Sequence, residues 1–265
     1  MHIVTVMQAR MSSTRLPGKI LKPILGEPLL LRFLERVKAS PLSGTLVVAT
    51  STEPDDDGVE VLCASAGFNV FRGSLNDLLS RHYHAGKAFH ADAVVKIPSD
   101  CPLIDPEIIT RVLQFYIDHS DQYDFVSNLH PATYPDGNDV EIMSMSALER
   151  AYFEAKKDFE REHTTPYFWD TQGLFRTANI TWETGLNYSM SHRWTIDYEE
   201  DYQFIKRVYE ELYPLRPHFG LHDILDLLNT KPEIAEINEK YAGVNWYRNH
   251  LDVLRTIDQS QTKIL

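Results

Sequence analysis

The chain opens with a short apolar segment, IVTVM at residues 3–7, and the polar loop QARMSSTRLPGK follows directly at residues 8–19. The first segment is apolar, β-branched and too short for a helix, so it predicts a buried strand. Pro17 and Gly18 prevent a helix from running through the loop. We therefore expect the loop at the carboxyl end of the first strand, where ligands bind in open α/β sheets.

Three cations and three hydroxyls make this loop a candidate polyphosphate site. They are Arg10, Arg15 and Lys19, and Ser12, Ser13 and Thr14. Arginine forks, a lysine charge and backbone amides are the groups that neutralise a nucleoside triphosphate. The spacings G-x-x-x-x-G-K-[ST] and G-x-G-x-x-G are both absent, and a solvated basic loop without a ligand is the alternative interpretation.

Composition and charge narrow the class of protein. The 265 residues are 43% hydrophobic, which is enough to bury the core of one large domain or two small ones. The net charge of −12 argues against a nucleic acid as the main partner. No apolar run approaches about eighteen residues and no signal-peptide pattern is visible, so we expect a cytoplasmic protein without a membrane partner. Cys63 and Cys101 lack metal-type spacing and are expected to be buried thiols.

Strands and helices alternate through the first half of the sequence. Apolar, β-branched segments predict further strands at residues 45–50, 69–71 and 93–97. Helices are expected at residues 29–37, at 56–66, at 75–89 with Ser74 as the cap, and from Pro106 onward with Asp105 as the cap. Such alternation predicts one α/β domain with a mainly parallel central sheet and helices on both faces.

The second half departs from this alternation. Shorter strands between loops rich in proline, glycine and asparagine are expected at residues 125–128, 140–143 and 179–182, with a helix at about 146–157. Large apolar side chains at near-helical spacing predict a helical tail at residues 244–265.

Two acidic residues follow apolar segments and are candidates for a metal site. Asp100 comes after the strand that ends at Ile97, and Asp197 comes after Ile196. Both can therefore reach the carboxyl edge of the sheet near the first loop. Mg²⁺ usually takes one or two carboxylates together with substrate phosphates. Asp100 also suits a turn and Asp197 a helix cap, so the residues alone leave both roles open.

The loop at residues 8–19 resembles the amino-terminal signature of the cytidylyltransferases that make CMP-activated acidic sugars. These include the CMP-ketodeoxyoctonate and CMP-acylneuraminate synthetases, and the similarity is greatest to their SpsF-like branch. Further motifs of the family follow in order: VFRGS at 70–74, SDCPLIDP at 99–106, YPDGNDVE at 134–141, REHTTPY at 161–167 and RWTIDYEED at 193–201. Ser99 stands where the family usually has glycine, and Pro98 where threonine is common in this branch.

The resemblance implies a Rossmann-like nucleotide-diphospho-sugar transferase fold over residues 1–243. Residues 1–120 would be the nucleotide-binding half, and residues 121–243 a smaller β-rich half for the acceptor sugar and the dimer contact. The implied activity is a Mg²⁺-dependent transfer of CMP from CTP to an acidic sugar of the 2-keto-3-deoxy type, with release of pyrophosphate, for surface or spore polysaccharide synthesis. A homodimer is expected.

The resemblance also assigns roles to particular residues. Catalytic roles are expected for Arg10, Lys19, Asp100 and Asp197, of which Asp100 and Asp197 would hold the magnesium ion. CTP is expected to contact Ala9, Arg10, Ser12, Ser13, Thr14, Arg15, Lys19, Arg72, Ser74 and Asp100. The acceptor sugar is expected near Asp139, Glu141, Arg161, His163 and Arg193. Structural roles are the alternatives for Ser74 as a helix cap, for His163, and for Arg161 and Arg193 in salt bridges with Glu160, Glu162 or Glu199.

Three other functions stay open at this point. A nucleotidyltransferase that uses a sugar 1-phosphate would share the loop and the acids but would need further cations for the acceptor phosphate. A glycosyltransferase that uses a nucleotide sugar commonly carries a D-x-D motif, whereas residues 98–100 hold a single aspartate. A nucleotide-binding homologue without turnover would keep the same fold.

Overall fold

A seven-stranded sheet lies at the centre of the computed structural model, which describes residues 1–264. In chain order the strands are β1 (Ile3–Gln8), β2 (Pro23–Ile24), β3 (Glu27–Pro28), β4 (Thr45–Ser51), β5 (Asn69–Gly73), β6 (Ala93–Lys96), β7 (Phe125–Ser127), β8 (Glu141–Ser144) and β9 (Thr177–Asn179). The short strands β2 and β3 pair with each other outside the central sheet. Leu265, the last residue of the expected tail, lies outside the described residues.

The strand order places a ligand-binding edge beside β1. The order is β5-β4-β1-β6-β8-β7-β9, and among the described strands of this sheet β8 alone runs opposite to its neighbours. The chain leaves β1 toward β4 on one side and later returns to β6 on the other side. Crevices at such a reversal are where open α/β sheets bind ligands. The predicted mainly parallel sheet is confirmed.

Helices cover both faces of the sheet, as predicted. They are α1 (Leu29–Ala39), α2 (Asp57–Ser65), α3 (Leu78–Ala88), α4 (Pro106–Asp118), α5 (Met145–Glu154), α6 (Asp158–His163), α7 (Pro166–Trp169), α8 (Glu199–Leu212), α9 (Leu221–Thr230) and α10 (Pro232–Ala235). One apolar core contains Phe33, Ile109 and Phe204 of α1, α4 and α8. The other contains Leu79 and Leu148 of α3 and α5, so the architecture has three layers.

Several predicted element boundaries were wrong. Helix α3 begins at Leu78, because the carboxylate of Asp77 accepts the amide of Ser80 and caps the helix, whereas the hydroxyl of Ser74 accepts the amide of Asp77. The strand expected at residues 179–182 lies at Thr177–Asn179, and the helix expected to reach residue 157 ends at Glu154.

The C-terminal segment also differs from the expectation. In place of a helix, its described part contains two short 3-10 turns, at Trp246–Asn249 and Gln259–Gln261. Both cysteines are buried free thiols, as predicted. Within residues 1–264, no helix combines the length and apolar character that crossing a bilayer requires.

Candidate active site

A cavity of about 660 Å³ opens at the carboxyl edge of the sheet, where the loops after β1 and β6 meet the segment before α8. Residues from both halves of the chain line it. Of the residues predicted for the site, the lining includes Ala9, Arg10, Ser13, Thr14, Arg15, Lys19, Asp100, Asp139, Glu141, His163, Arg193 and Asp197.

The loop after β1 is held in a tight shape that leaves backbone amides free. Asp56, beyond the end of β4, accepts the amide of Met11 at 2.7 Å, and the carbonyl of Met11 accepts the amide of Gly18 at 3.1 Å. Gly18 has φ +67°, a conformation that glycine adopts at little cost. Within residues 1–264, the amides of Thr14 and Arg15, two residues of the cavity lining, donate to no protein acceptor. Free amides beside three cations suit the oxygens of a polyphosphate.

The role of Asp56 was not predicted from the sequence. Its carboxylate also accepts both the amide and the hydroxyl of Ser51. Burial raises the pKa of Asp56, but these hydrogen bonds outweigh burial and lower the pKa below its usual range. Asp56 is the middle of three consecutive aspartates, and nothing in that run tells which of them is buried.

Lys19 brings Asp100 and Asp197 together. Its ammonium donates to the carbonyl of Ile196 at 2.5 Å and to Asp197 Oδ1 at 3.1 Å, and lies 3.8 Å from Asp100 Oδ2. The carbonyl of Asp100 accepts the amide of Ile196, which ties the two acidic segments to each other. The two carboxylates and the first loop therefore share one small region, as the sequence predicted.

Asp197 is strongly held in its charged form. Arg15 contacts Oδ1 at 2.7 Å, and Arg193 contacts Oδ2 at 3.1 Å. Burial raises the pKa of Asp197, but the charges of Lys19 and Arg15 outweigh burial and lower the pKa to about 2. Asp197 does not cap the following helix; the carboxylate of Asp201 accepts the amides of residues 197 and 198 instead.

Ser99 fits the backbone without the glycine that the family usually has. It is buried, its amide donates to the carbonyl of Gln8, and its φ is not positive. A side chain at this position therefore causes no left-handed strain.

Arg193 positions acids and has no donor left for a substrate carboxylate. Its Nε and Nη2 donate to Asp201, Nη2 also to Asp197, and Nη1 to the carbonyl of Val244 and to Asp136. The guanidinium has five N–H groups, and all five have acceptors here. This geometry does not support the expectation that Arg193 contacts the acceptor carboxylate. Its salt-bridge partners are all aspartates, whereas the sequence suggested Glu160, Glu162 or Glu199.

Asp136 and Asp139 form an acidic cluster with Asp100. Asp139 and Asp100 were predicted for the site, and Asp136 was not. Burial, followed by the charge of Asp100, raises the pKa of Asp139 to about 7. Burial also raises the pKa of Asp136 well above its usual range, although the charge of Arg193 opposes this. Burial and the repulsion between these carboxylates thus disfavour the charged forms of Asp136 and Asp139.

Glu141 lies in the cavity but is neutralised by protein groups. Lys96 contacts its Oε2 at 2.5 Å, and the imidazole of His130 lies 3.8 Å from Oε1. Burial raises the pKa of Glu141, but the charge of Lys96 and the contact with His130 lower it to about 2. Neither Lys96 nor His130 was predicted for the site. The position of Lys96 at the end of a buried strand could have indicated it.

Four predicted residues do not line the cavity: Ser12, Arg72, Ser74 and Arg161. Arg72 pairs with Asp57 and Glu60 of α2. Arg161 forms two hydrogen bonds with Asp77, at 2.6 and 2.8 Å, and donates to the carbonyls of residues 152 and 155. These contacts place both arginines in structural roles, and the partner of Arg161 is none of the glutamates suggested by the sequence.

Aromatic side chains form one wall of the cavity, called the aromatic wall below: His130, His163, Trp169 and Trp246. His163 stacks on Trp246 at 3.8 Å, and His130 stacks on Trp169 at 4.0 Å. Burial, followed by the charge of Lys96, lowers the pKa of His163 to about 3, so its imidazole is neutral. Trp246 belongs to the C-terminal segment, whose part in the site the sequence did not predict.

The expected magnesium ligands fit that ion only in combination with a substrate. Within residues 1–264, no group of three or more His, Cys, Asp or Glu side chains is arranged to hold a metal ion. Mg²⁺ keeps several waters and accepts one or two carboxylates when phosphate oxygens complete its shell. Asp100, whose side chain is 35% exposed, and the neighbouring acidic cluster supply hard oxygen donors of that kind.

The sequence matches the family model described as Cytidylyltransferase over residues 4–217. The chain is 32% identical to the spore coat polysaccharide biosynthesis protein SpsF of Bacillus subtilis over 242 residues, which cover 89% of this chain and 98% of that protein. It is 32% identical to a 3-deoxy-manno-octulosonate cytidylyltransferase of Bdellovibrio bacteriovorus over 158 residues, 58% of this chain and 62% of that one.

A solved structure supports the same relationship. The structure of a cytidylyltransferase from Leptospira borgpetersenii is 34% identical to this chain, with a TM-score of 0.83, and the match covers 89% of this chain and 97% of that one.

Proposed function

Because the chain belongs to the cytidylyltransferase family, we propose that it transfers CMP from CTP to an acidic sugar of the 2-keto-3-deoxy type and releases pyrophosphate. The observation that carries this proposal is the convergence of the first loop with two carboxylates at Lys19. The relatives named 3-deoxy-manno-octulosonate cytidylyltransferases support the choice of a sugar acid as acceptor.

The free amides of the first loop, together with Arg10 and Lys19, would hold the β- and γ-phosphates of CTP. This places the α-phosphorus near Asp100 and Asp197. A hydroxyl of the sugar attacks the α-phosphorus in line with the bridging oxygen to the β-phosphate. A bond from the sugar oxygen to phosphorus forms, the bond to the bridging oxygen breaks, and the hydroxyl proton passes to a carboxylate of the acidic cluster.

The protein's main contribution is position and charge. Arg10, Arg15 and Lys19 stabilise the negative charge that develops on the leaving pyrophosphate. Arg193 keeps Asp197 in place and ionised, since it contacts the oxygen that Lys19 and Arg15 leave free. No side-chain nucleophile is required for this transfer.

We include Mg²⁺ in the proposal, with Asp100 and Asp197 as its protein ligands. When bound, the ion would polarise the α-phosphoryl oxygen and lower the pKa of the attacking hydroxyl. The family resemblance also supports a cytoplasmic homodimer that serves polysaccharide synthesis, and sedimentation of the purified chain tests the dimer.

The test is pyrophosphate release from each of the four common nucleoside triphosphates with Mg²⁺ and a panel of sugar acids. We expect release with CTP and a 2-keto-3-deoxy acid, and loss of that release in Asp100→Asn and in Asp197→Asn. Asp226→Asn, on the exposed face of α9, is the matched control and should keep full activity. Preference for another triphosphate, or full activity in both site variants, would contradict the proposal.

A further inference from the structure

The C-terminal segment 244–264 is a fixed wall of the cavity, although it lies beyond the region that the family model matches. Leu254 and Ile257 are buried in the core on the α3 and α5 face of the sheet. The carboxylate of Asp170 accepts the amides of Arg255 and Thr256, at 2.7 and 2.9 Å. The segment is thus anchored by apolar burial and by hydrogen bonds, so the side chains it directs into the cavity have defined positions.

Arg248 of this segment lines the cavity and is incompletely satisfied. Its Nη1 is buried and has no hydrogen-bond partner in residues 1–264. Its Nη2 lies 3.4 Å from the hydroxyl of Tyr198, which is a long contact. A buried guanidinium nitrogen without an acceptor is unfavourable, because it has lost water and gained nothing in return.

Within residues 1–264, each of the other cations that line the cavity is either held by protein acceptors or assigned to the phosphates of CTP. Lys96 pairs with Glu141, and every donor of Arg193 is used. The guanidinium of Arg81 donates to the carbonyls of Ala49, Ser74 and Leu75. Arg15 and Lys19 pair with Asp197 beside the expected phosphates. Arg10 stands in the first loop, where the phosphates of CTP are expected. Arg248 is therefore the lining arginine that remains for a second anion.

The position of Arg248 agrees with the chemistry of the proposed acceptor. Tyr198, which Arg248 faces, directly follows Asp197 in the chain. Trp246, two residues before Arg248, stacks on His163 in the half of the chain assigned to the sugar. Arg248 thus lies between the reaction centre and the aromatic wall. In a 2-keto-3-deoxy sugar acid, the carboxyl carbon is bonded to the carbon that carries the attacking hydroxyl. The carboxylate must therefore lie next to the reaction centre, where Arg248 is.

We propose that Arg248 binds the carboxylate of the acceptor sugar and selects acidic sugars over neutral ones. This inference rests on the proposed function, since it takes the acceptor from it. An arginine fork can donate two parallel hydrogen bonds to a carboxylate, which gives both affinity and orientation. The role is one of binding and specificity, and it replaces Arg161 and Arg193 as the carboxylate contact.

Calorimetric titration tests the inference without any turnover. The probes are 3-deoxy-manno-octulosonate, titrated in the absence of nucleotide, and CTP with Mg²⁺, titrated separately. The variants are Arg248→Gln and Arg248→Lys. Arg255→Gln is the matched control, because Arg255 lies in the same segment with an exposed side chain outside the cavity lining.

We expect Arg248→Gln to weaken binding of the sugar acid by about tenfold or more, with the affinity for CTP unchanged, since one charged bidentate contact is lost. Arg248→Lys should recover part of the loss, and Arg255→Gln should behave as the unchanged chain does. Retained CTP affinity shows that the variants are folded.

Three results would overturn the inference: equal affinity of Arg248→Gln and the unchanged chain for the sugar acid, a loss confined to CTP, or no binding of the sugar acid to the unchanged chain. In the last case, the separate titration still shows whether the chain binds CTP. A failure of the proposed function would instead appear as absent CTP binding or absent pyrophosphate release, so the two failures are distinguishable.

Discussion

The cavity disfavours the charged form of the Asp139 carboxyl, through burial and through the charge of Asp100. It lines the cavity beside Asp100, and its Oδ1 accepts only a long hydrogen bond of 3.4 Å from Gly137. Its pKa of about 7 exceeds the ordinary value of 3.8. The folded chain therefore binds a proton here between about pH 4 and pH 7 that the unfolded chain does not bind. Stability contributed by this group falls as the pH rises through that window.

Replacement of Asp139 by asparagine removes the free-energy cost of a charged carboxylate at this buried position. In metal-free buffer we expect Asp139→Asn to raise the free energy of unfolding by about 1 to 3 kcal/mol at pH 8, and to change it little at pH 4.5. Chemical denaturation at both pH values measures the difference, with Asp226→Asn as the control. If the free energy of unfolding rose by the same amount at both pH values, or fell at pH 8, the charge on Asp139 would not be the source of the cost.

The meeting of Lys19, Asp100 and Asp197 could be predicted from the sequence, and the partners of Arg161 and Arg193 could not. Lys19 ends the loop after β1 and Asp100 lies in the loop after β6, so the parallel pairing of these two strands brings both residues to one edge. Asp197 directly follows none of the described strands, and the hydrogen bond from the amide of Ile196 to the carbonyl of Asp100 brings it to the same edge. Arg161 meets Asp77, which is 84 residues away, and Arg193 is taken up by three aspartates. The pairing of Arg161 leaves no local pattern in the sequence. Asp197 and Asp201 follow Arg193 closely in the chain, but the sequence does not show that they and the distant Asp136 occupy its donors.

At the scale of elements, one ion pair joins the start of α3 to α6. Asp77 caps α3 through the amide of Ser80, and its other oxygen accepts two hydrogen bonds from Arg161 of α6. Both side chains are 26% exposed, so solvent screens part of the attraction. The pair thus fixes the spacing of two helices and leaves Arg161 without a role at the substrate.

We expect Arg161→Gln to destabilise the chain by about 1 to 2 kcal/mol while the KM values for CTP and for the acceptor stay unchanged. A double-mutant cycle with Asp77→Asn, followed by urea denaturation, isolates the contribution of the pair. Asparagine at position 77 keeps an oxygen for the helix cap, which makes it the appropriate partner variant. A rise in the acceptor KM without loss of stability would return Arg161 to the substrate site.

Predictions of elements succeeded where the hydrophobic period was long and failed where strands were short. The alternation of strands and helices up to α4 was correct in type and order, except that the short pair β2 and β3 was not predicted. In the second half, β7 and β9 have three residues each, and their limits are set by pairing with each other and with β8. Three residues contain too little periodicity to locate a strand, which explains the displaced prediction at residues 179–182.

At the scale of the whole molecule, the C-terminal segment is part of the domain. Ile257 is 7% exposed and lies in the same apolar core as α3 and α5. The spacing of Trp246, Tyr247, Leu251 and Leu254 predicted a helix, but these side chains face a core and a cavity formed by other elements. Tertiary contacts, which the local pattern does not contain, determine the path of this segment.

We expect Ile257→Ala to lower the free energy of unfolding of the whole chain by about 2 to 4 kcal/mol, since it leaves a cavity in a shared core. Tryptophan fluorescence and far-ultraviolet circular dichroism should report the same lowered midpoint. Val253→Ala, at a position 41% exposed, is the control and should have little effect. If only the fluorescence midpoint fell and the circular dichroism midpoint stayed unaltered, the C-terminal segment would detach separately from the other elements.

The most direct test of the proposed site is a crystal structure of the chain with CTP and Mg²⁺. We predict that the β- and γ-phosphates contact the free amides of the first loop together with Arg10 and Lys19. The metal ion should lie on Asp100 and Asp197, with an oxygen of the α-phosphate in its shell. A triphosphate bound away from residues 10–19, or a metal ion that neither aspartate contacts, would contradict the assignment of this cavity to cytidylyl transfer.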